Sequence, residues 1–444
     1  MAVFSRPAVL AGAAAVAGVA AAVALWLMKK RAKKPDRCAR LLAPVVPYIE
    51  GVMKAFARPF DAASAPDGYI LLAVAENKLA WRDILKPRVE AAVRDLPDWT
   101  ANYGQLSGRP ELRQAVAAFL ERRFLQNKKN VLDADDLVCV TGVAATLNAV
   151  FYAACAPGDR VLVPRPYYAA FVSDLRAFAE CEVVPCDLDD LDGAYTPRVK
   201  ALLLTNPHNP LGTVLSSSEL RRLAAWCDAK GIHFVSDEIY ALSVFRDEDA
   251  RPFVSLAALD GFDSGRRHVV WGLSKDFGMS GLRFGVLASK NPTILAAAQS
   301  AALFSQVPGI AAHVATELLA DGEFCDAYLR ENARRLLRSC ELVEKALDAL
   351  DIAYVRPTAG IFLFFDLSFL LNNNTVDGKF TSDMDIYEAL LADEYRLVLT
   401  PGSAQAAAEP GWFRICYAFV PVPVLEVALE RLTAFVTRYR AMTK

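Results

Sequence analysis

Paired cysteines, a charge excess and sequence repeats are all missing from this chain of 444 residues. Its nine cysteines stand singly with no CxxC among them, and most sit in apolar runs such as LVCVTG and FRICYA. That pattern excludes a disulfide framework and a zinc site built on paired thiolates, and reads as free core thiols in a reducing compartment. No metal is expected. Charge is balanced, with 49 basic against 51 acidic residues and a net of −2. The basic residues form no stripe interleaved with aromatics, so no nucleic-acid partner is expected. Beyond residue 34 there is no repeat or low-complexity tract, and 54% of residues are hydrophobic against 23% charged. This describes a globular chain too long for one simple core.

The N-terminus stands apart. Ala8 to Met28 is 21 residues without a charge, followed by KKRAKK. At ~1.5 Å per residue this length matches the roughly 30 Å hydrocarbon core of a bilayer. Residues 1–34 therefore read as an N-terminal transmembrane helix, a single-pass anchor whose basic flank keeps the body cytosolic. A cleaved targeting peptide stays open as the alternative, because no acidic residue precedes Asp36 and both Ser5 and Arg6 are present.

In the middle of the chain short apolar runs alternate with helical segments. LVCVTG, RVLVPRP, VKALLLTNP, IHFVSDE, HVVWGLSK and FGVLAS read as strands, and SSELRRLAAWCDAKG as a helix stopped by Gly231. Such alternation predicts an α/β fold with a mixed, mostly parallel sheet covered by helices. After about residue 325 a long helix and strands such as GIFLFFDLS predict a smaller α+β domain. The expected division is an N-terminal arm with part of the small domain over 35–98, a large domain over 99–325 and a small domain over 326–444. Sheets of this kind bind ligands beyond the carboxyl ends of their strands. Thr141-Gly142, Asn206, Asp237 and Lys275 all fall there.

Lys275 is the telling residue, since it follows an apolar strand where a chain ordinarily meets solvent. A pyridoxal-phosphate site would use it. That cofactor needs a lysine to condense with its aldehyde, a carboxylate opposite its ring nitrogen, and a phenol and an amide at its phenolic oxygen. It also needs backbone amides at a helix start plus an arginine for its phosphate, and a second arginine for the substrate carboxylate. Candidates stand in order: Asp237 and Tyr240 in SDEIY, Asn209 in NPHNPLG, the helix start TGVAAT, and Tyr167 and Tyr168 as aromatic faces.

NPHNPLG, SDEIY and SKDFGMSGLRFG, in that order and spacing, resemble the class I/II aminotransferases of PLP fold type I. LAVAENKL, VPRPYYAAF and EPGWFRICYA are similar to the 1-aminocyclopropane-1-carboxylate (ACC) synthase-like branch of that superfamily. The resemblance covers roughly residues 45–440. It implies pyridoxal 5'-phosphate as cofactor, with Lys275 as the Schiff-base lysine, Asp237 on the pyridine nitrogen, and Tyr240 and Asn209 on the phenolic oxygen. It further implies Arg283, Ser274 and the amides of Ala144 and Ala145 at the phosphate, Tyr168 stacked on the ring, and Arg414 and Asn209 at the substrate. Glu76 matches a glutamate near the substrate pocket of ACC synthases. Tyr103 matches the tyrosine that aminotransferases send across a homodimer interface to the phosphate.

Two positions depart from the pattern. Where the family often has a serine three residues before the lysine, this chain has Gly272, so phosphate binding is expected to be weaker or differently built. Where ACC synthases carry a tyrosine used in γ-displacement, it has Leu106. The expected function is therefore a transaminase acting on an L-amino acid and a 2-oxo acid. The alternative is ACC synthase-type α,γ-elimination and cyclisation on S-adenosylmethionine or a related substrate. A third reading is a catalytically inactive, membrane-tethered protein of the same fold.

Overall fold

The structure is a computed structural model and describes residues 47–125, 131–246, 252–371 and 380–441. The apolar runs of the sequence become a seven-stranded sheet. Its strands are β1 (Leu137–Val140), β2 (Arg160–Pro164), β3 (Glu182–Cys186), β4 (Val199–Thr205), β5 (His233–Asp237), β6 (Arg267–Gly272) and β7 (Gly285–Ser289). They lie in the order β1-β7-β6-β5-β4-β2-β3. Every pair is parallel except those of β7, which runs antiparallel to both β1 and β6. The sheet is thus mixed and mostly parallel, as the alternation of strands and helices predicts.

Burial explains why these runs carry almost no polar residue. All six residues of β6 are buried, and in β4 Leu202 and Leu204 pack into one core layer while Ala201 and Leu203 pack into the layer on the other face. A strand covered on both sides loses the polar-apolar alternation of an exposed one. The helices that cover it are locally well specified. Ser217–Lys230 starts on a capping box between Ser216 and Glu219 and ends at Gly231, whose φ of 67° suits a residue without Cβ.

A second, antiparallel sheet is built from β8 (Tyr354–Val355), β9 (Phe362–Asp366), β10 (Thr400–Pro401) and β11 (Trp412–Cys416), ordered β10-β11-β9-β8. Its core residues pack with the 28-residue helix Gly322–Ala349 and with the last helix, Val422–Ala441. In β11, Arg414 lies opposite Phe364 on one side and Thr400 on the other.

The architecture expected from the sequence is corrected in one respect. Among the described residues no helix is long and apolar enough to cross a membrane, so a transmembrane helix is no part of the described fold. The segment 8–28 assigned to that role lies outside the described residues, as does most of the polar loop at 372–379.

Far from the carboxyl ends of the strands, His268 is buried between His233 and Ser289, with Nε2 2.9 Å from His233 Nδ1 and Nδ1 2.8 Å from Ser289 Oγ. Burial pushes its imidazole down from 6.5 to about 3. A base that is neutral when folded but protonated when unfolded gives stability that is present above the unfolded value and is lost as pH falls towards the folded one. Unfolding free energy should therefore contain a contribution of a few kcal/mol that disappears between about pH 6.5 and pH 3. Denaturant unfolding of the wild type and of His268→Asn across that range should show a shallower pH slope in the variant; equal slopes would show that this histidine is not the source.

Candidate active site

Strands β5 and β6 run parallel, so they end on the same edge and open the same cleft. Asp237 is the last residue of β5. Beyond Gly272, β6 gives way to a tight turn closed by the Met279 amide on the Leu273 carbonyl at 3.1 Å and the Gly278 amide on the Lys275 carbonyl at 3.1 Å. That turn is why a lysine follows an apolar strand: it aims Lys275 into a cavity rather than into solvent. Asp237, Tyr240, Asn209 and Ser274 line the same cavity, with Tyr168 and Arg283 at its borders.

The charges inside are poorly solvated. Burial lowers the proton affinity of the Lys275 amine, with Glu76 and Asp237 working against that shift. Its Nζ donates to the carbonyl of Ala75. Burial pushes the Asp237 carboxyl up to about 7, and its one hydrogen bond is a long 3.3 Å contact from the Ile239 amide. Such a carboxylate is short of a cation. Tyr240 is buried and its phenol is raised for the same reason.

One end of the cavity is made for an anion. Helix Val143–Ala154 starts at Gly142 with no side-chain cap, so its first amides are free. Ala144 lines the cavity; Ala145 lies in the same turn and does not line it. Arg283 stands beside this helix start with φ 55°, a conformation that is uncommon for a residue with a Cβ. Its guanidinium donates to the Ser280 carbonyl at 3.0 Å and to the Thr141 carbonyl at 3.4 Å. A Cβ on Gly142 would come within 2.7 Å of it.

Gly272 proves to be a packing requirement. A Cβ there would meet the Phe284 carbonyl at 2.4 Å, and one on Gly285 would meet the backbone of Gly142 at 2.4 Å. The serine of the family pattern does not fit between strands this close. The serines that line the cavity are Ser274 and Ser280, and Ser280 donates to Glu76 Oε1 at 2.6 Å.

Arg414 and Glu76 do not line this cavity; Arg414 is joined to it through Asn209 and Glu76 through Ser280, which both do. Arg414 donates to Asn209 Oδ1 at 2.9 Å, to the Ala73 carbonyl at 2.6 Å and to Thr400 Oγ1 at 3.2 Å, while its Nε is buried without a partner. Glu76 sits 3.6 Å from Lys78 and adjoins the Ala75 carbonyl that holds Lys275. Tyr103 is not brought to the cavity of its own chain; it is 99% exposed, beside Trp99 and Gln306.

Sequence reasoning missed Ser280, Thr400 and Gln405, whose Nε2 lies 3.4 Å from Asn209 Oδ1. It also missed Asp174, which lines the cavity below Tyr168 and whose carboxyl is raised to about 6 by burial. Spacing carried no signal for the first three. For Asp174 one existed: a single acid against the apolar residues Phe171 and Leu175 of its helix.

The set fits pyridoxal 5'-phosphate. An underpaired carboxylate, a desolvated amine and an uncapped helix start beside an arginine are respectively suited to a pyridinium, an aldehyde and a phosphate. Gly142→Ala should weaken cofactor affinity by about tenfold or more, a loss of at least ~1.4 kcal/mol, because the new methyl displaces Arg283. Titrating apoprotein with pyridoxal phosphate checks this, and unchanged affinity would take Gly142 and Arg283 out of the phosphate site.

Known proteins show the same organisation. The family model "Aminotransferase class I and II" matches residues 67–432. 1-Aminocyclopropane-1-carboxylate synthase 6 of Arabidopsis thaliana is 34% identical over 89% of this chain and 84% of its own. The 1-aminocyclopropane-1-carboxylate synthase of Glycine max is 33% identical over 88% and 85%. Among solved structures, a Thermus thermophilus aspartate aminotransferase variant superposes with TM-score 0.76 at 24% identity, covering 91% of this chain and all of that one; this likeness shows the fold. With a matched model over most of its length and a site built for the cofactor, this chain belongs to the class I and II aminotransferase family, an enzyme family dependent on pyridoxal 5'-phosphate.

Proposed function

We propose that the chain is an ACC synthase-type lyase, which removes the Cα proton of S-adenosylmethionine or a related amino acid and closes the Cα–Cγ bond as a thioether leaves. Similarity to ACC synthases along nearly the whole chain is the observation that carries this reading. Glu76 supports it: the AENKL segment lays this carboxylate against Ser280, next to the carbonyl that holds Lys275.

When bound, pyridoxal phosphate supplies an aldehyde that takes up amines and a ring that draws electrons from Cα. The protein supplies the rest. Arg414, whose Nε has no partner among the described residues, would receive the substrate carboxylate, and Asn209 and Thr400 hold its guanidinium still. With the carboxylate fixed, the Cα–H bond can stand perpendicular to the ring. Lys275, whose proton affinity burial lowers, takes the Cα proton. Asp237 would keep a proton on the ring nitrogen, and the phenol of Tyr240 and the amide of Asn209 would serve the phenolic oxygen. Arg283, Ser274 and the helix start around Ala144 would hold the phosphate, and Tyr168 the ring. In a homodimer the exposed Tyr103 reaches the phosphate of the other copy; Leu303, Phe304 and Ile310 leave apolar surface exposed on a chain segment that adjoins its loop.

Transamination between an L-amino acid and a 2-oxo acid is the second reading, and Leu106 favours it. This side chain packs half-buried against the core and offers no phenol for γ-displacement. An inactive protein of this fold is the least supported reading, because the groups for amine, ring and phosphate chemistry remain in one cavity.

Products decide between the two. Holoenzyme given S-adenosylmethionine should release ACC and a thioether; a 2-oxo acid formed with amino transfer to a second oxo acid would replace this reading by transamination. Lys275→Ala should abolish either turnover and the visible absorption of lysine-bound cofactor, and turnover that persists would reject Lys275 as the reacting amine. Arg414→Lys should raise KM roughly 30-fold, ~2 kcal/mol, since a point charge cannot reproduce a bidentate fork. An unchanged KM would place the substrate carboxylate elsewhere.

A further inference from the structure

The residue after the reactive lysine has no part in the chemistry described so far, yet it is among the most heavily bonded side chains near it. Asp276 is fully buried. Its Oδ1 accepts from Ser243 Oγ at 2.6 Å, and its Oδ2 accepts from the Leu242 amide at 3.1 Å and from Trp271 Nε1 at 2.9 Å. Its backbone carbonyl accepts from the Tyr328 hydroxyl at 2.9 Å. These partners sit on three separate parts of the chain. Trp271 is in β6, Tyr328 in the long helix Gly322–Ala349, and Leu242 and Ser243 follow Tyr240 by two and three residues.

The consequence is geometric. Lys275 acts on one side of the bound ring, while Asp237 and Tyr240 act at its nitrogen and phenolic oxygen. Asp237 and Tyr240 stand at the end of β5 and in the turn that follows it, and Lys275 in the turn beyond β6. Among the described side chains, Asp276 is what hydrogen-bonds the lysine turn to the turn that carries Tyr240. The groups whose charge acts on Lys275 are Glu76, Cys416, Arg414 and Asp237, while the Asp276 carboxylate is tied to the Ser243 hydroxyl, the Leu242 amide and the Trp271 indole.

We infer that Asp276 is a positioning residue, whose two carboxylate oxygens fix the Lys275 amine relative to the Asp237–Tyr240 turn through hydrogen-bond geometry and not through charge. This rests on Lys275 being the reacting amine. It also accounts for a carboxylate kept at the base of the site without a cationic partner among the described residues, where burial raises its carboxyl to about 7. Three donors satisfy it, and removing it would leave three buried groups unpaired.

The distinction between geometry and charge can be tested with near-isosteres. In Asp276→Asn the side-chain oxygen would still accept from Leu242 and Trp271, and the new amide could donate to Ser243, whose hydroxyl accepts as readily as it donates. Asp276→Ala would keep none of these bonds. The experiment uses the full-length holoenzyme, with Lys275→Ala as the control that establishes the lysine–cofactor linkage by loss of its visible absorption. Against the reaction identified by product analysis, Asp276→Asn should keep kcat within about threefold of wild type. Asp276→Ala should lower kcat on the order of 100-fold, as expected for a misplacement near 1 Å, with KM changed by less than about threefold. It should also shift the pH at which the cofactor absorption titrates. Ser243→Ala, which removes the shortest of the bonds, should lower kcat by about three- to tenfold without moving the thermal midpoint by more than a few degrees.

Two results would overturn the inference. One is an Asp276→Asn as damaged as Asp276→Ala, which would mean that charge matters. The other is wild-type kcat and absorption in both Asp276→Ala and Ser243→Ala. Should Asp276→Ala fail to fold, Asp276→Asn and Ser243→Ala decide between the same outcomes. Retained absorption in Lys275→Ala would instead reject the lysine assignment itself, so the two failures are distinguishable.

Discussion

An amine and a carboxylate are held together in a cavity with little water, and neither is bonded to the other. Lys275 gives its hydrogen bond to the Ala75 carbonyl, and Asp237 keeps only a long contact from the Ile239 amide. Burying two such groups separately is unfavourable unless something compensates each of them. A direct salt bridge would do so, and it would also consume both. The fold instead spaces them at the ends of neighbouring parallel strands, so that a cationic ring nitrogen can satisfy one and a carbonyl can engage the other. Much of the surrounding architecture follows from that requirement. Neighbouring parallel strands finish on the same edge, and parallel strands need crossover helices, which cover both faces and leave the central strands rich in apolar residues.

The anion end shows a second constraint, close backbone approach. Gly272 in β6, Gly285 in β7 and Gly142 at the helix start meet where a Cβ on any of them would clash within 2.4 to 2.7 Å. This packing draws the uncapped helix terminus and Arg283 to one point. It also explains why the hydroxyl expected three residues before the lysine is missing. A serine there would push β6 and β7 apart and move the arginine that stands in the left-handed conformation just before β7. The anion end is thus shaped by what the backbone can approach, with the hydroxyls of Ser274 and Ser280 still lining the cavity.

The sheet was legible because burial on both faces leaves a signature that needs no partner: unbroken apolar runs ended by Asp237 or by Gly272 and Lys275. The lysine, the aspartate and the phosphate arginine were legible for the same reason, since each lies within a few residues of a strand end. What was not legible depends on contacts between distant segments. Ser280 and Glu76 are 204 residues apart, and Gln405 and Asn209 are 196 apart; no local pattern marks either pair. Tyr103 matched its family position, yet within one chain it is exposed rather than in the cavity; the resemblance assigns it a role only in an assembly of two copies. The apolar segment at 8–28 matches a bilayer in length and lack of charge but lies outside the described residues, and among those no helix is long and apolar enough to cross a membrane.

Under the roles proposed above, the two candidate reactions would begin with the same event, transfer of the Cα proton to Lys275, and separate afterwards. What differs is where the electron pair left on Cα goes: to the cofactor, with a proton following, or to Cγ, with a thioether leaving. The shared machinery of Asp237, Tyr240, Asn209 and Arg414 cannot discriminate, because it acts on ring and carboxylate alone. Discrimination must lie where the substrate side chain lies. Glu76, bonded to Ser280 and near Lys78, offers a carboxylate beside the reacting amine, and a sulfonium substrate carries the positive charge that such a group attracts. Leu106 weighs against a phenol-assisted displacement. A cationic leaving group departs as a neutral thioether and needs less assistance than a neutral one would, so a carboxylate that orients the sulfonium can sustain displacement at a site where the phenol is absent.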